Sequence, residues 1–187
     1  MTRARDMANI AAGSFNIPSG SLTNATPAAG SITNAMLASN AITSASLPSG
    51  SIINVTSSRF TGTANTSSTS FSGTGHTITV TPSSTSSKLI ILGLGGAQTY
   101  AAVGEVRPRI YRKIGTGSFS DLTGDISRCR LGSSYNIPIA FSYTDSPATT
   151  SSVTYEIYIA SPTGADVYYA GTDVDKRQEL TIMEIAG

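Results

Sequence analysis

With 187 residues and a net charge of +1, the chain has no bulk field with which to hold nucleic acid or an anionic membrane. Only 12% of its residues are charged, roughly half the usual share, and Ser, Thr, Gly, Ala and Asn give a surface that is polar without charge. The single cysteine, Cys129, excludes an intrachain disulfide, and no apolar run approaches the roughly 18 residues that span a bilayer.

The chain opens with "MTRARDMANIAAGSF", which carries arginines but lacks the apolar stretch of a secretory signal, so no export is expected. Past Asp6 no charge appears until Arg59, and only Phe15 precedes Phe60 among the aromatics. That shift in composition divides the chain near residue 57. Before it the sequence repeats. Aligned on Gly20, Gly30, Asn40 and Gly50, successive decads place Leu22, Ile32, Ile42 and Ile52 at one apolar position. Ile17, Leu37 and Leu47 hold a second, five residues away, with Pro27 as the exception.

A period of five fits no helix, which needs apolar residues at spacings of three and four. Ordering five backbones costs about 5–10 kcal/mol, whereas burying one Leu or Ile returns about 1.5–3 kcal/mol. A single extended chain therefore fails. A pentapeptide-type solenoid would have only about two turns here, and stacked repeats generally need three or more. A flexible Ser/Gly linker would not keep so regular an apolar register. The preferred reading is a shaft of three identical chains, with Leu22, Ile32, Leu37, Ile42, Leu47 and Ile52 meeting their own copies on the axis. Residues 1–12 then form an anchoring terminus, 13–57 the shaft and 58–187 a head.

The head reads as strands. "HTITVT" alternates through Ile78 and Val80, while "KLIILGLGG" is apolar enough to be buried on both faces. "EVRPRIYRK" puts Arg107 and Arg109 on one face, with Pro108 marking an edge strand. "DISRCR", "IPIAFSY", "SVTYEIYIA", "DVYYA" and "ELTIMEI" complete about eight strands. No segment has a helical period. The fold class is all-β: a repeat shaft followed by an antiparallel, jelly-roll-like β-sandwich. "LTIMEI" should be a central strand, with Glu184 at a sheet end or beside an arginine.

Chemistry is sparse. His76 is the sole histidine and has no evident orienting carboxylate, so a structural role is favoured. "GTGHT" and "GLGGA" lack the phosphate-binding spacing and read as turns. Cys129 reads as a buried, inert thiol. Asp173 and Asp175, with Asp166 nearby, offer oxygens but no complete ligand pattern, so no metal is expected. Paired carboxylates in a groove are not evident, and the chain reads as neither an enzyme nor a cofactor binder.

The basic set is Arg107, Arg109, Arg112, Lys113, Arg128 and Arg130. If the strands that carry them are neighbours, they form a patch for acidic sugars or phosphates. The plainer reading pairs them with Glu105, Asp121, Asp125 or an adjacent subunit. Arg128, Arg130, Tyr135 and Asn136 are the candidate glycan contacts: a fork of donors, a ring face and an amide. Tyr111 and Tyr143 are further rings for stacking.

"ITVTPSSTSSKLIILGLGG" (78–96), "SYTDSPATTSSVTYEIYIAS" (142–161) and "LTIMEIAG" (180–187) resemble the C-terminal modules of tail-fibre and virion-fibre proteins of tailed phages, cyanophages especially. The pentad array resembles their shafts. The resemblance implies a homotrimeric fibre that is a virion component, bound through its N-terminus to other virion proteins, with a distal β-domain. The working expectation is that this domain meets a host-surface polysaccharide. It implies no catalytic residues. A capsid-decorating or connecting part that never touches the host remains the alternative.

Overall fold

Strand β9 (Val153–Ala160) shows most directly how this sequence becomes structure. Val153, Tyr155, Ile157 and Ile159 alternate with Thr154, Glu156 and Tyr158, and the first set is buried in the core. β-Branched and aromatic side chains suit a pleated surface with one face covered. Each such side chain, fully buried, contributes roughly 1.5–3 kcal/mol.

The computed structural model describes residues 47–99, 103–132, 136–169 and 178–187, with only the backbone at Leu131 and Asn136. The expected anchor, most of the expected shaft, Tyr135, Asp173 and Asp175 lie outside the described residues. Those described contain no helix.

Their strands are β1 (Ile52–Phe60), β2 (Ala64–Thr66), β3 (Ser72–Val80), β4 (Lys88–Thr99), β5 (Gly104–Ile114), β6 (Ser120–Asp121), β7 (Cys129–Leu131), β8 (Asn136–Asp145), β9, β10 (Val167–Tyr169) and β11 (Gln178–Ile185). All pair antiparallel, in two sheets. In the first, β8 lines one side of β4, while β11 and then β10 line the other; β1 flanks β11 and β2 flanks β10. The second has the order β3-β9-β5, with β6 and β7 along the outer side of β5. Between the sheets lies one core, with Leu89, Ile91, Leu180 and Ile182 from the first and Ile78, Ile110, Tyr155 and Ile157 from the second.

Several expectations need correction. Strand β1 starts at Ile52, inside the range assigned to the shaft, because Ile52 satisfies both the period of five and a strand opposite Ile185. "GLGGA" is no turn but the second half of β4. A Cβ on Gly93 would overlap the Phe141 ring, and one on Gly95 would overlap the Gln178 amide, so these glycines make room for large inward side chains. "GTGHT" likewise lies within β3, where a bulge shifts the register between Gly73 and Thr77 and Gly75 takes φ 78°. "DISRCR" is a loop as far as Arg128, and only Cys129–Leu131 is strand.

Pro108 does not put β5 at an edge, since β9 pairs with it on one side and β6 and β7 on the other. The proline falls in the gap between β7 and β6. There a loop crosses, and the Pro108 carbonyl accepts from Ile126 N at 3.0 Å. Its missing N–H therefore removes no ladder bond.

Strand β11 is interior, as its sequence suggests, with β1 and β4 on its two sides. Gln178, Leu180, Ile182 and Glu184 are buried, and Thr181, Met183 and Ile185 form the half-buried outer face. Glu184 is 4% exposed and meets hydroxyls in place of an arginine. Its Oε1 accepts from Ser83 N at 2.6 Å, Ser83 Oγ at 2.7 Å and Ser87 Oγ at 2.7 Å. The serine-rich turn after β3 is thus the carboxylate's cage.

His76 joins the two sheets. It projects from β3 between Ser58 of β1 and Tyr169 of β10, and it stacks on Phe60 at 5.3 Å between ring centres. The Ser58 carbonyl, 3.2 Å from Nε2, can only accept, so Nε2 carries the proton. Nδ1 then accepts from the Tyr169 hydroxyl at 2.8 Å. Burial pushes the imidazole pKa below its ordinary 6.5, although the Ser58 bond works against this. The unfolded chain therefore binds this proton more readily than the folded one, and stability must fall as pH drops below about 6.5. Urea midpoints at pH 8 and pH 5.5 should show that loss, and His76→Gln should reduce the difference.

Candidate functional site

The outer face of the second sheet concentrates the charged and aromatic side chains. Alternation along β5 sends Val106, Ile110 and Arg112 inward and Arg107, Arg109, Tyr111 and Lys113 outward. Arg107 and Arg109 thus share a face, as their spacing suggests, and Arg112 leaves the expected basic set.

Arg112 serves the core end instead. It holds Asp145 of β8 through Nη1 at 2.8 and 3.0 Å, across from one sheet to the other. The Tyr155 hydroxyl donates to the same carboxylate at 2.7 Å. Burial, and then the Asp145 bond, hold the Tyr155 hydroxyl protonated well above the usual tyrosine range.

Between β5 and β7 the loop at 121–128 folds back over the outer arginines. Asp121 sets its turn: Oδ1 accepts from Thr123 N at 3.2 Å and Gly124 N at 2.9 Å, and Gly124 takes φ 62°. Asp121 Oδ2 receives Arg109 Nη1 at 2.5 Å, and Asp125 receives Arg109 Nε at 2.8 Å. Arg107 donates to Glu105 at 2.6 Å and reaches Asp125 at 3.5 Å. Arg128 lies 3.6 Å from Asp125, and Arg130, cross-strand from Glu105, lies 3.1 Å from it.

Four guanidiniums therefore share three carboxylates, leaving one positive charge uncompensated. The charge is not evenly accessible. Arg107 and Arg109 are 26% exposed, against 66% for Arg128 and 83% for Arg130. Hydrogen bonds from Arg107 and then Arg130 hold the Glu105 carboxyl below its ordinary value, keeping it ionised.

Aromatic rings flank this network. Tyr111 stacks on Tyr158 with ring centres 3.8 Å apart, and Phe119 packs beside Tyr158 at 5.9 Å. The Arg109 guanidinium covers the Phe71 ring at 3.8 Å, and Lys113 sits over Phe119 at 4.9 Å. Tyr111 thus spends one ring face on Tyr158. Tyr143 points elsewhere, its hydroxyl meeting the Leu122 carbonyl at 3.5 Å.

Of the sequence candidates, Arg128 and Arg130 are brought together with Arg107 and Arg109, because β7 does pair with β5. Asn136 starts β8, opposite Gln98 in the other sheet. The plainer reading also holds for all four, since Arg107, Arg109, Arg128 and Arg130 each meet a carboxylate named from the sequence. Phe71, Phe119 and Tyr158 were missed. Tyr158 was legible from its alternation with Ile157 and Ile159; the two phenylalanines sit in loops and carry no periodic signal.

Cys129 is buried, 3.3 Å from Ser127 Oγ. Among the described residues no group of three His, Cys, Asp or Glu side chains is placed to hold a metal. The face offers guanidinium donors and ring edges.

No family profile and no curated protein matches the chain. Some solved structures are similar to parts of it at low identity. An infectious bursal disease virus structure, Gx strain, is 15% identical with a TM-score of 0.47, over 72% of this chain and 32% of that one. The VP2 subviral particle of the same virus is 14% identical with a TM-score of 0.44, over 73% and 34%. The CBM22-1–GH10 modules of a Clostridium thermocellum xylanase are 14% identical with a TM-score of 0.35, over 69% and 27%. The chain thus spans about a third of the viral proteins it matches.

Proposed function

We propose that the chain is a non-enzymatic structural protein of a tailed-phage virion, a short fibre whose N-terminal repeat associates as a trimer and whose β-sandwich head adsorbs to an acidic host-surface polysaccharide. The five-residue apolar register and the resemblance of both halves to phage fibre proteins support the virion role. The exposure of Arg128 and Arg130 supports adsorption. Each of these arginines has one carboxylate partner and stands well out of the surface, so an anionic sugar can reach it without dismantling a buried pair. Three copies on one fibre multiply a weak site into useful avidity.

The test is binding of the purified full chain to an immobilised acidic polysaccharide. Arg128→Ser/Arg130→Ser should weaken binding by about tenfold or more, equivalent to about 1.4 kcal/mol, while leaving assembly and thermal stability as they were. The second reading, a decorating or connecting part, is favoured by the pairing of every arginine in the face. It predicts unchanged polysaccharide binding, and loss of the variant protein from particles.

A further inference from the structure

The outer face of the first sheet is the chemical opposite of the face just described. Cross-strand registers place Val55, Met183 and Ile90 in one row, Ser57, Thr181 and Leu92 in the next, and Arg59, Glu179 and Leu94 in the third. Ile185 follows beyond the first row, between Ile52 and Lys88. Ile90, Leu92 and Leu94 thus run down β4 alongside Met183 and Ile185 on β11, with Val55 at their flank. Thr144 and Ser142 border them on β8. No charged residue falls in the first two rows. Val55 is 57% exposed and Leu94 58%, and a depression of about 160 Å³ opens beside Leu92, Leu94 and Thr181. A contiguous apolar sheet face of this kind marks an interaction surface.

We infer that this face is an interface between copies of the chain, built from Val55, Ile90, Leu92, Leu94, Met183 and Ile185. The occupant follows from where the chain enters the sheet. Leu47 and Ile52, the last members of the five-residue register, are 38% and 56% exposed in the single chain, so these two are left uncovered. Strand β1 continues from them onto the face, Ile52 meeting Ile185 and Val55 meeting Met183. A second copy that covers Leu47 and Ile52 is carried by the same strand across Met183, Ile90 and Leu92. The inference rests on the self-association proposed for the repeat, and it adds that the head takes part in it. It also leaves the cationic face of the second sheet turned outward.

Sedimentation equilibrium of the full chain tests it, with variants that separate the two claims. Leu92→Glu/Met183→Glu puts two carboxylates per copy into the proposed contact, and should weaken association by about tenfold or more. Thr79→Glu, on the opposite outer face, should not. Circular dichroism establishes folding, and Leu94→Ser, at an exposed site, repeats the test with a milder change. If the wild-type chain assembles and both face variants assemble as well as it does, the face is no interface and the repeat alone drives association. If Ile32→Asp leaves assembly intact while Leu92→Glu/Met183→Glu abolishes it, the face is an interface and the repeat reading falls. A monomeric wild-type chain overturns both.

Discussion

Replacing Asp145 with alanine should destabilise the head by about 2–4 kcal/mol, read as a lower urea midpoint at an unchanged slope. Asp145 is 5% exposed and is held by the Arg112 guanidinium and the Tyr155 hydroxyl, both from the opposite sheet. Removing one member of a buried pair typically costs about 3–5 kcal/mol, because the surviving charge keeps its desolvation penalty and loses its partner. Arg112 is 26% exposed, so water partly screens it and the cost is shifted about 1 kcal/mol below that range. Tyr155→Phe should cost only about 1 kcal/mol, the net worth of one hydrogen bond. The two changes should be less than additive, since both remove the same hydrogen bond. An Asp145→Ala variant as stable as the parent would mean that the core residues alone fix the two sheets together.

Ile32→Asp should weaken assembly far more than Thr33→Asp. If Ile32 lies on a three-fold axis, the first change sets three carboxylates against one another in a dry environment, at a cost of several kcal/mol for each ion. Thr33, one place along, would face solvent and cost little. Both substitutions fall before the described residues and change no residue of the head, so the head's own strands serve as an internal control. Thermal melts of the two variants, followed beside their sedimentation, give the comparison. Equal behaviour would mean that the apolar register has another purpose.

Much of the head was legible because period-two alternation is a local signal. Tyr155, Ile157 and Ile159 announce a buried face within five residues, and Leu180 and Ile182 do the same for β11. Strand β1 was illegible for the opposite reason. Ile52 fits the five-residue series that precedes it, and nothing within Ile52–Phe60 reveals that Ile185 is its neighbour. Pro108 misled because a proline rules out a ladder bond at one position only, and a crossing loop supplied that position with an acceptor role instead.

The candidate site was half legible. Arginines at alternate positions announce a shared face, and acidic residues nearby announce their partners. Which arginine stays exposed depends on a loop folding back through Asp121 and Asp125, a tertiary outcome. The inter-sheet contact of Arg112 with Asp145 joins residues 33 apart in the chain, beyond the reach of any local pattern. The apolar face was hidden in "KLIILGLGG" and "LTIMEI". The first reads as buried on both faces and the second as a central strand, whereas the described residues cover only one face of each.

The most direct test of the account is the position of this chain in a cryo-EM map of the intact particle that carries it. The account predicts a three-fold shaft rooted on the virion, with the β-sandwich at its outer end and the arginine face open to solvent. A sandwich clamped between other virion proteins, with Arg128 and Arg130 buried in that contact, would contradict it.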